Sequence, residues 1–332
     1  MPAHWQRRIV RGGELPPGAP SRRQFLAHGT MGLSVLALGR HVGAATPAGA
    51  ETTRLILLGT GGGPRLTVPG RARAANLLLV NGVPFIVDCG SGVSQQLLAA
   101  GVALSSVRYV FITHHHSDHD LDFGNLIYNG WASGLRTPVD AFGPPPTAAM
   151  VQAYWTLNRF DIETRIADEG RVDLRTLVAA HDIDAPGRVL RTDEVTVTAA
   201  RVRHPPIAEA YAYRFDTPTR SVVFSGDTTF APELIELASG ADVLVHETMH
   251  LDGLERLLKV VPNAPTLKAH LLASHTTTED VGRVAAAAKV KTLVLSHFVP
   301  SDDPSLTEAH WLEGVRKHFT GRVIIGRDLL EV

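Results

Sequence analysis

Alternating apolar and polar positions divide the chain into short strands and helices. Apolar runs at 77–80 and 85–87 flank Asn81-Gly82, a dipeptide typical of a β-hairpin turn. Positions 195–203 alternate as a half-buried strand does, and 147–160 has the period of an amphipathic helix. Further strands are predicted at 54–58, 107–113, 221–225, 242–246, 292–296 and 323–325, and further helices at 94–100, 232–238 and 279–288. This mixture predicts packed α/β layers.

Composition limits the class of protein and the partners it could have. The 332 residues are 44% hydrophobic and 20% charged, which excludes a disordered or collagen-like chain. Residues 1–50 carry six arginines and one acid, so the remaining body is net acidic. Because nucleic-acid binding normally needs clustered positive charge, we expect no nucleic-acid partner. Cys89 is the one cysteine, so no intramolecular disulfide can form.

The first 50 residues have the order of regions found in an export signal. Arg22-Arg23 precedes a mostly apolar stretch, 25–38, and small residues follow up to Ala48-Gly49-Ala50. This resembles a bacterial twin-arginine signal, which implies recognition by the twin-arginine export machinery and cleavage near Ala50. We therefore expect a leader at 1–50 and a mature periplasmic domain at 51–332. The apolar stretch is shorter than the ~20 residues that span a bilayer, so no stable membrane anchor is expected.

The glycine-rich run Gly59-Thr60-Gly61-Gly62-Gly63 raises the question of a nucleotide site. A dinucleotide site needs a helix that opens on the glycines, and Pro64 and Pro69 disfavour one here. A phosphate-binding Walker loop needs a Lys-Ser or Lys-Thr pair after the glycines, which the sequence lacks. The run is better explained as a tight turn that lets the backbone pass close to a pocket.

Histidine and aspartate follow the ends of several predicted strands. The run His114-His115-His116-Ser117-Asp118-His119 follows the strand at 107–113, while His204, Asp227 and His297 each follow a later strand. Side chains at one edge of a sheet converge, so these groups predict one site rather than a histidine-rich surface turn. Imidazoles and carboxylates without a thiolate suit two divalent ions, with Zn²⁺ favoured and Mn²⁺ or Fe as alternatives.

The H-x-H-x-D-H spacing resembles that of the metallo-β-lactamase superfamily of dimetal hydrolases. The resemblance covers residues 52–332 and implies a four-layer αββα sandwich. It also implies which side chains hold each ion. The first ion falls to His114, His116 and His204, the second to Asp118, His119 and His297, and Asp227 bridges both.

Further motifs are similar to those of the branch with tRNase Z, small phosphodiesterases and arylsulfatases. They include Ser225-Gly226-Asp227-Thr228, His246-Glu247-Thr248 and His275-Thr276-Thr277. With two ions present, Asp227 would orient the attacking hydroxide. His275 is the candidate that supplies a proton or a positive charge to the leaving group, because it directly precedes a predicted helix N-terminus. The resemblance implies that Glu247 fixes the His275 ring. His275 could instead be an ordinary residue before a helix capped by Thr276 and Glu279.

Only 22 residues separate His204 from Asp227, too few for the tRNA-gripping arm of tRNase Z. The sequence therefore predicts a hydrolase of small-molecule anionic esters, above all phosphodiesters, and not a tRNA-processing enzyme. The alternatives are an arylsulfatase, a lactonase or β-lactam-type amide hydrolase, and a non-catalytic metal-binding protein. Trp131, Tyr154 and Trp155 form either an apolar rim of the site or part of the core. A homodimer is left open.

Overall fold

Two seven-stranded β-sheets pack face to face in the computed structural model, which describes residues 52–67 and 70–332. The predicted leader at 1–50 lies outside the described residues. The first sheet contains, in spatial order, β14 (Leu330–Glu331), β1 (Thr53–Gly59), β2 (Ala75–Val80), β3 (Val83–Val87), β4 (Tyr109–Phe111), β5 (Val139–Gly143) and β6 (Val178–Asp182). The second contains β13 (Arg322–Ile325), β12 (Thr292–Val299), β11 (Val243–Met249), β10 (Ser221–Phe224), β9 (Tyr211–Asp216), β8 (Thr196–Arg201) and β7 (Gly187–Arg191).

Helices flank the two sheets. They are α1 (Val93–Ala99), α2 (Ser117–Asp120), α3 (Phe123–Ala132), α4 (Thr147–Leu157), α5 (Arg159–Glu169), α6 (Pro232–Leu237), α7 (Leu251–Leu258), α8 (Ala264–Ser274), α9 (Thr278–Ala288) and α10 (Glu308–Arg316). Side chains of α1, α3, α4 and α5 share one buried cluster with the first sheet, and those of α6, α9 and α10 share another with the second. This arrangement confirms the predicted αββα sandwich.

Burial on both faces explains why the strands appear in the sequence as continuous apolar runs. In β1, Leu55 and Leu57 face the second sheet, whereas Ile56 and Leu58 face the helices. Aromatic rings fill the space between the sheets, where Phe111 stacks on Phe142 with a centroid separation of 5.1 Å. A strand that is buried on both sides needs apolar residues at every position.

The structure differs from the predicted helix at 147–160. The helix is interrupted at Asn158, so α4 ends at Leu157 and α5 begins at Arg159. Phe160 is 85% exposed, so it does not lie on the apolar side that the sequence suggested, whereas Ile162 of α5 is buried in the core. Trp131 and Trp155 are buried in the core beneath α3 and α4, which favours the core interpretation of these aromatic residues.

Parallel pairing brings the site-bearing loops together. The strand pairs β3–β4, β4–β5, β10–β11 and β11–β12 are all parallel, so their carboxyl ends lie at a common edge of each sheet. The loops at such an edge are the usual location of binding sites in α/β proteins. In the described part of the chain, no helix is long and apolar enough to span a membrane.

Candidate metal centre and active site

The histidine-rich motif forms the turn between β4 and α2. His116 has extended backbone and lies immediately before α2, whose first turn carries Asp118 and His119. This placement turns the two imidazoles and the carboxylate toward the interior, and His114, Asp118 and His119 are all buried. His115 points the other way, and its ring nitrogens lie 2.9 Å from Asp120 and 2.8 Å from the Pro144 carbonyl.

One group of donors consists of three imidazole nitrogens. His114 Nε2 and His204 Nε2 each lie 3.0 Å from His116 Nδ1. Ligands of one tetrahedral Zn²⁺ ion are about 3.3 Å apart, since Zn–N distances are about 2.0–2.1 Å. Asp227 Oδ2 lies 3.8 Å from His114 Nε2 and 4.0 Å from His204 Nε2. We call these four residues the first cluster.

The second cluster shares Asp227 with the first. His297 Nε2 lies 3.1 Å from His119 Nε2 and 3.2 Å from Asp118 Oδ2. Asp227 Oδ2 lies 3.3 Å from both imidazole nitrogens, His119 Nε2 and His297 Nε2. The structure therefore brings all seven predicted side chains together, with Asp227 at the centre.

A bulge in β12 aims the His297 side chain at this cluster. The pairing register between β11 and β12 shifts after Glu247, so that His297 has no pairing partner on β11. Its φ of 43° lies in the left-handed region, which is rare for a residue with a side chain. His297 therefore lies within a strand, whereas the sequence suggested that it follows one. Bulges redirect side chains in this way near active sites.

Three of the imidazoles are held from behind by hydrogen-bonding groups. His114 Nδ1 lies 3.1 Å from Thr113 Oγ1, and His119 Nδ1 lies 2.8 Å from Asp88 Oδ2. His204 Nδ1 lies 2.9 Å from the Ser274 carbonyl oxygen. Such partners fix the orientation of a metal-binding imidazole and leave Nε2 free. The Asp88 side chain also accepts a hydrogen bond from the Thr113 backbone N–H at 2.8 Å, which ties the motif turn to β3.

Burial keeps the histidines of the first cluster neutral. It is the largest influence on each, and it lowers the pKa of His204 to about 4 and that of His114 well below its ordinary value. Burial also lowers the pKa of His116. Neutral imidazoles bind a metal without first losing a proton.

The second cluster is charged. Burial opposes the charge on His119, but the carboxylates of Asp227 and Asp88 outweigh it and raise the pKa of His119 well above its ordinary value. Burial alone would raise the pKa of Asp227, but the positive charges of His297 and His119 hold this pKa well below its usual range. An ionised Asp227 is therefore present at neutral pH.

His275 and Glu247 form a buried pair beside Asp227. His275 Nδ1 lies 2.8 Å from Glu247 Oε2 and 3.9 Å from Asp227 Oδ2. Burial lowers the pKa of His275, but the charge of Glu247 and its hydrogen bond outweigh burial and raise the value to about 9. The ring is therefore protonated at neutral pH. Glu247 lies inside β11, and His275 directly follows α8. The next helix is capped by Thr277 and not by Thr276.

The glycine-rich run lies against the second cluster, as a tight turn beside a pocket would. The Gly63 N–H donates to Asp118 Oδ2 at 2.7 Å. A Cβ on Gly62 would lie 2.8 Å from the His297 ring, so only glycine fits there without a shift. The run therefore orients one acidic and one imidazole side chain of the cluster.

Arg73 holds this glycine turn in place, and no sequence motif marks it. The side chain is 1% exposed, and Nη1 donates to the Gly62 and Gly63 carbonyls at 3.0 and 3.1 Å and to Ser301 Oγ at 3.2 Å. Burial lowers the pKa of Arg73, while the nearby Asp118 carboxylate opposes the shift. Arg73 is a single arginine between two predicted strands and belongs to no recognised motif. Its contacts with the glycine turn and with Ser301 are therefore visible only in the folded structure.

We expect Arg73→Met to lower the free energy of unfolding by about 1–3 kcal/mol, because three half-buried acceptors lose the buried donor that they share. Urea unfolding measures the change. Arg65→Met is the matched control, since Arg65 is an exposed arginine paired with Asp302, and its loss should change stability by less than about 0.5 kcal/mol. Equal stability of the Arg73 variant and the unaltered protein would contradict a bracing role.

Several polar and aromatic residues near the clusters belong to the core. Tyr211 and Tyr213 are fully buried between the sheets, and the Tyr213 hydroxyl donates to the Ile112 carbonyl at 2.7 Å. His246 is buried, and its Nδ1 lies 2.7 Å from the Glu247 carbonyl oxygen. His270 faces the site instead, with its ring centroid 6.1 Å from that of His116.

The donor set fits divalent metal ions. Within the described residues, Asp227 Oδ1 is buried without a hydrogen-bond partner, which leaves a carboxylate oxygen for a cation. Both clusters bring their donor atoms within 4.8 Å of one another. Glu247, His275 and His297 also meet this distance, but Glu247 and His275 already pair with each other.

Comparison with known proteins places the chain in a family. Residues 84–298 match the Beta-lactamase superfamily domain. Ribonuclease Z of Mycobacterium bovis is 33% identical over 284 residues, which span 84% of this chain and 97% of that protein. The chain belongs to the metallo-β-lactamase superfamily, in its ribonuclease Z branch. Ribonuclease Z of Mycobacterium avium is 34% identical over 280 residues, spanning 83% of this chain and 96% of that protein.

Membership confirms the predicted family and a metal-dependent hydrolase acting on ester bonds. Two solved structures show the fold. The metallo-β-lactamase fold protein YhfI of Bacillus subtilis has a TM-score of 0.61 at 20% identity and covers 85% of this chain and 99% of its own. The short form of human tRNase Z has a TM-score of 0.59 at 19% identity and covers 84% and 98%.

The prediction that nucleic acid is not a partner is wrong. The two relatives, which align with this chain over 97% and 96% of their own length, are named as ribonucleases, and this finding overturns the prediction. The net charge of the body misled the prediction, because it sums over the whole surface and says little about the field near the site. The short connection between His204 and Asp227 misled it too, since a ribonuclease of this branch aligns with the chain over 97% of its length.

Proposed function

We propose that the chain is a dimetal phosphodiesterase that cleaves RNA, as the name of its ribonuclease Z relatives states of them. The observation that carries the proposal is the pair of His/Asp clusters joined by Asp227, next to the buried His275–Glu247 pair. The alignment supports it, because the relatives share the whole domain and not only the metal motif. Phosphodiester cleavage needs both an activated water and a proton donor.

Under this proposal the first cluster holds one divalent ion and the second holds another, with Zn²⁺ the ion that the donors suit best. Ions bound there supply Lewis acidity, which activates water and neutralises the charge of a phosphate. Asp227 joins the two clusters through Oδ2, and its partnerless Oδ1 is available to the same cations. The carboxylate thus fixes the spacing between the clusters.

His275 donates the proton in our proposal. Its Nδ1 is taken by Glu247, so Nε2 is the atom that can donate to the leaving oxygen. Glu247 is buried beside it and stabilises the protonated ring. Asp88 and Thr113 do not touch the substrate; they orient the His119 and His114 rings.

Reporter substrates test the proposal on one zinc-loaded preparation. The set contains an RNA with a 3′ extension, bis(p-nitrophenyl) phosphate, p-nitrophenyl sulfate, a lactone and a cephalosporin. We expect the RNA and the phosphodiester to be hydrolysed with a kcat/KM at least about tenfold above the rest, which is about 1.4 kcal/mol of transition-state preference. Dominant hydrolysis of the sulfate, the lactone or the cephalosporin would overturn the phosphodiesterase assignment.

A further inference from the structure

A cavity of about 420 Å³ opens beside the two clusters. His116, Asp118, Asp227 and His275 form its inner end. Its apolar wall consists of Leu257, Val261, Leu267, Leu271, Val299 and Pro300, and Arg65, Ser301 and Asp302 line the cavity elsewhere. Cavities of this size and character bind small-molecule groups, with the polar end fixing their orientation.

Most of the apolar wall comes from the hairpin of α7 and α8, and Val299 and Pro300 at the end of β12 complete it. This hairpin has a small core of its own, in which Leu254 and Leu271 pack with Met249 and Val299. Leu257 and Val261 lie outside that core and are only half-buried, so their side chains can contact a ligand.

Charge separates the two ends of the cavity. Arg65 is the one Lys or Arg among the described lining residues, and its Nη2 already lies 2.6 Å from Asp302 Oδ2. The walls therefore offer an anionic phosphate little attraction, whereas the cation-binding clusters at the inner end offer a strong one. The phosphate belongs at the inner end, and an uncharged group belongs between the walls.

We propose that this cavity is a subsite for an aromatic ring attached to the scissile phosphodiester, which makes nucleobase-bearing or aryl-bearing phosphodiesters the preferred substrates. The ring of His270 lies near the inner end of the cavity, with its centroid 6.3 Å from that of His275. It offers an edge-to-face partner to an aromatic ring bound between the walls. The proposal rests on the phosphodiesterase function and adds a substrate preference to it.

Binding of two non-hydrolysable anions tests the subsite by calorimetry on the zinc-loaded protein. Phenylphosphonate and methylphosphonate carry the same anionic group, but only phenylphosphonate has an aromatic ring. We expect phenylphosphonate to bind about tenfold more tightly, since the cavity removes its apolar surface from water. Leu257→Gln, which makes the wall polar, and Val261→Trp, which fills it, should each reduce this preference to within about twofold and leave methylphosphonate binding unchanged.

Leu272→Gln is the matched control, because Leu272 lies on the same hairpin and is 45% exposed; it should keep the tenfold preference. Equal affinity of the two anions for the unaltered protein overturns the subsite, and so does a preference that survives both wall variants when circular dichroism shows them folded. Phosphodiester hydrolysis without a ring preference refutes the subsite alone. If phenylphosphonate binds more tightly but neither the RNA nor bis(p-nitrophenyl) phosphate is hydrolysed, the phosphodiesterase function is refuted and the binding site is retained.

Discussion

Asp227→Asn is expected to lower kcat/KM toward a phosphodiester by about 10³-fold or more, because the change removes the charge that joins both clusters. A bridging carboxylate contributes several kilocalories per mole through the ions that it holds. The amide keeps the shape of the side chain, so the loss reports charge and not packing. Metal content of the purified variant should also fall below that of the unaltered protein, as measured by elemental analysis.

Asp140→Asn is the matched control. Asp140 also pairs with a histidine, His181, at 2.9 Å, but this pair lies on the surface of β5 and β6. The same change there should leave kcat/KM and metal content within about twofold, since exposed ion pairs contribute little. An Asp227 variant with full metal content and full activity would exclude a bridging role.

His275→Ala is expected to lower kcat by about 10²–10⁴-fold, the range that a general acid contributes. The side chain is buried next to Asp227 and Glu247, yet it is a member of neither four-residue cluster. Metal content should therefore stay unchanged while turnover falls. Steady-state kinetics and elemental analysis on the same preparation separate these two effects.

His181→Ala controls for loss of an imidazole, because His181 stacks on Phe142 away from the site. It should change kcat by less than about twofold. If His275→Ala loses metal in proportion to activity, His275 is a ligand, which the nearby grouping with Glu247 and His297 would explain. In that case its assignment as proton donor is wrong.

Periodicity predicted most of the sheet framework, because burial forces it on the sequence. The Asn81-Gly82 turn pairs Val80 with Val83, as a hairpin signal implies. The runs of β1 and β10 are likewise apolar because both of their faces are covered. Helices α7 and α8 were not predicted; they pack in a small cluster with Met249 of β11 and Val299 of β12.

The site could be predicted where ligands follow strands, and less well where tertiary contacts aim them. His114 and His116 follow β4 directly, so their type and spacing carried the information. The bulge at His297 depends on register between two strands, and no local pattern encodes it. Arg73 and His270 gain their positions from segments distant in sequence, which a motif cannot show.

Metal stoichiometry tests the central claim most directly. The protein is purified with Zn²⁺ in excess, separated from free ions and measured by elemental analysis, with phosphodiesterase activity followed as the ions are removed by a chelator and returned. We expect two ions per chain, loss of activity as they leave, and its recovery when Zn²⁺ is restored. A metal-replete protein that holds one ion or fewer, or that keeps its activity after both ions are gone, would contradict the account.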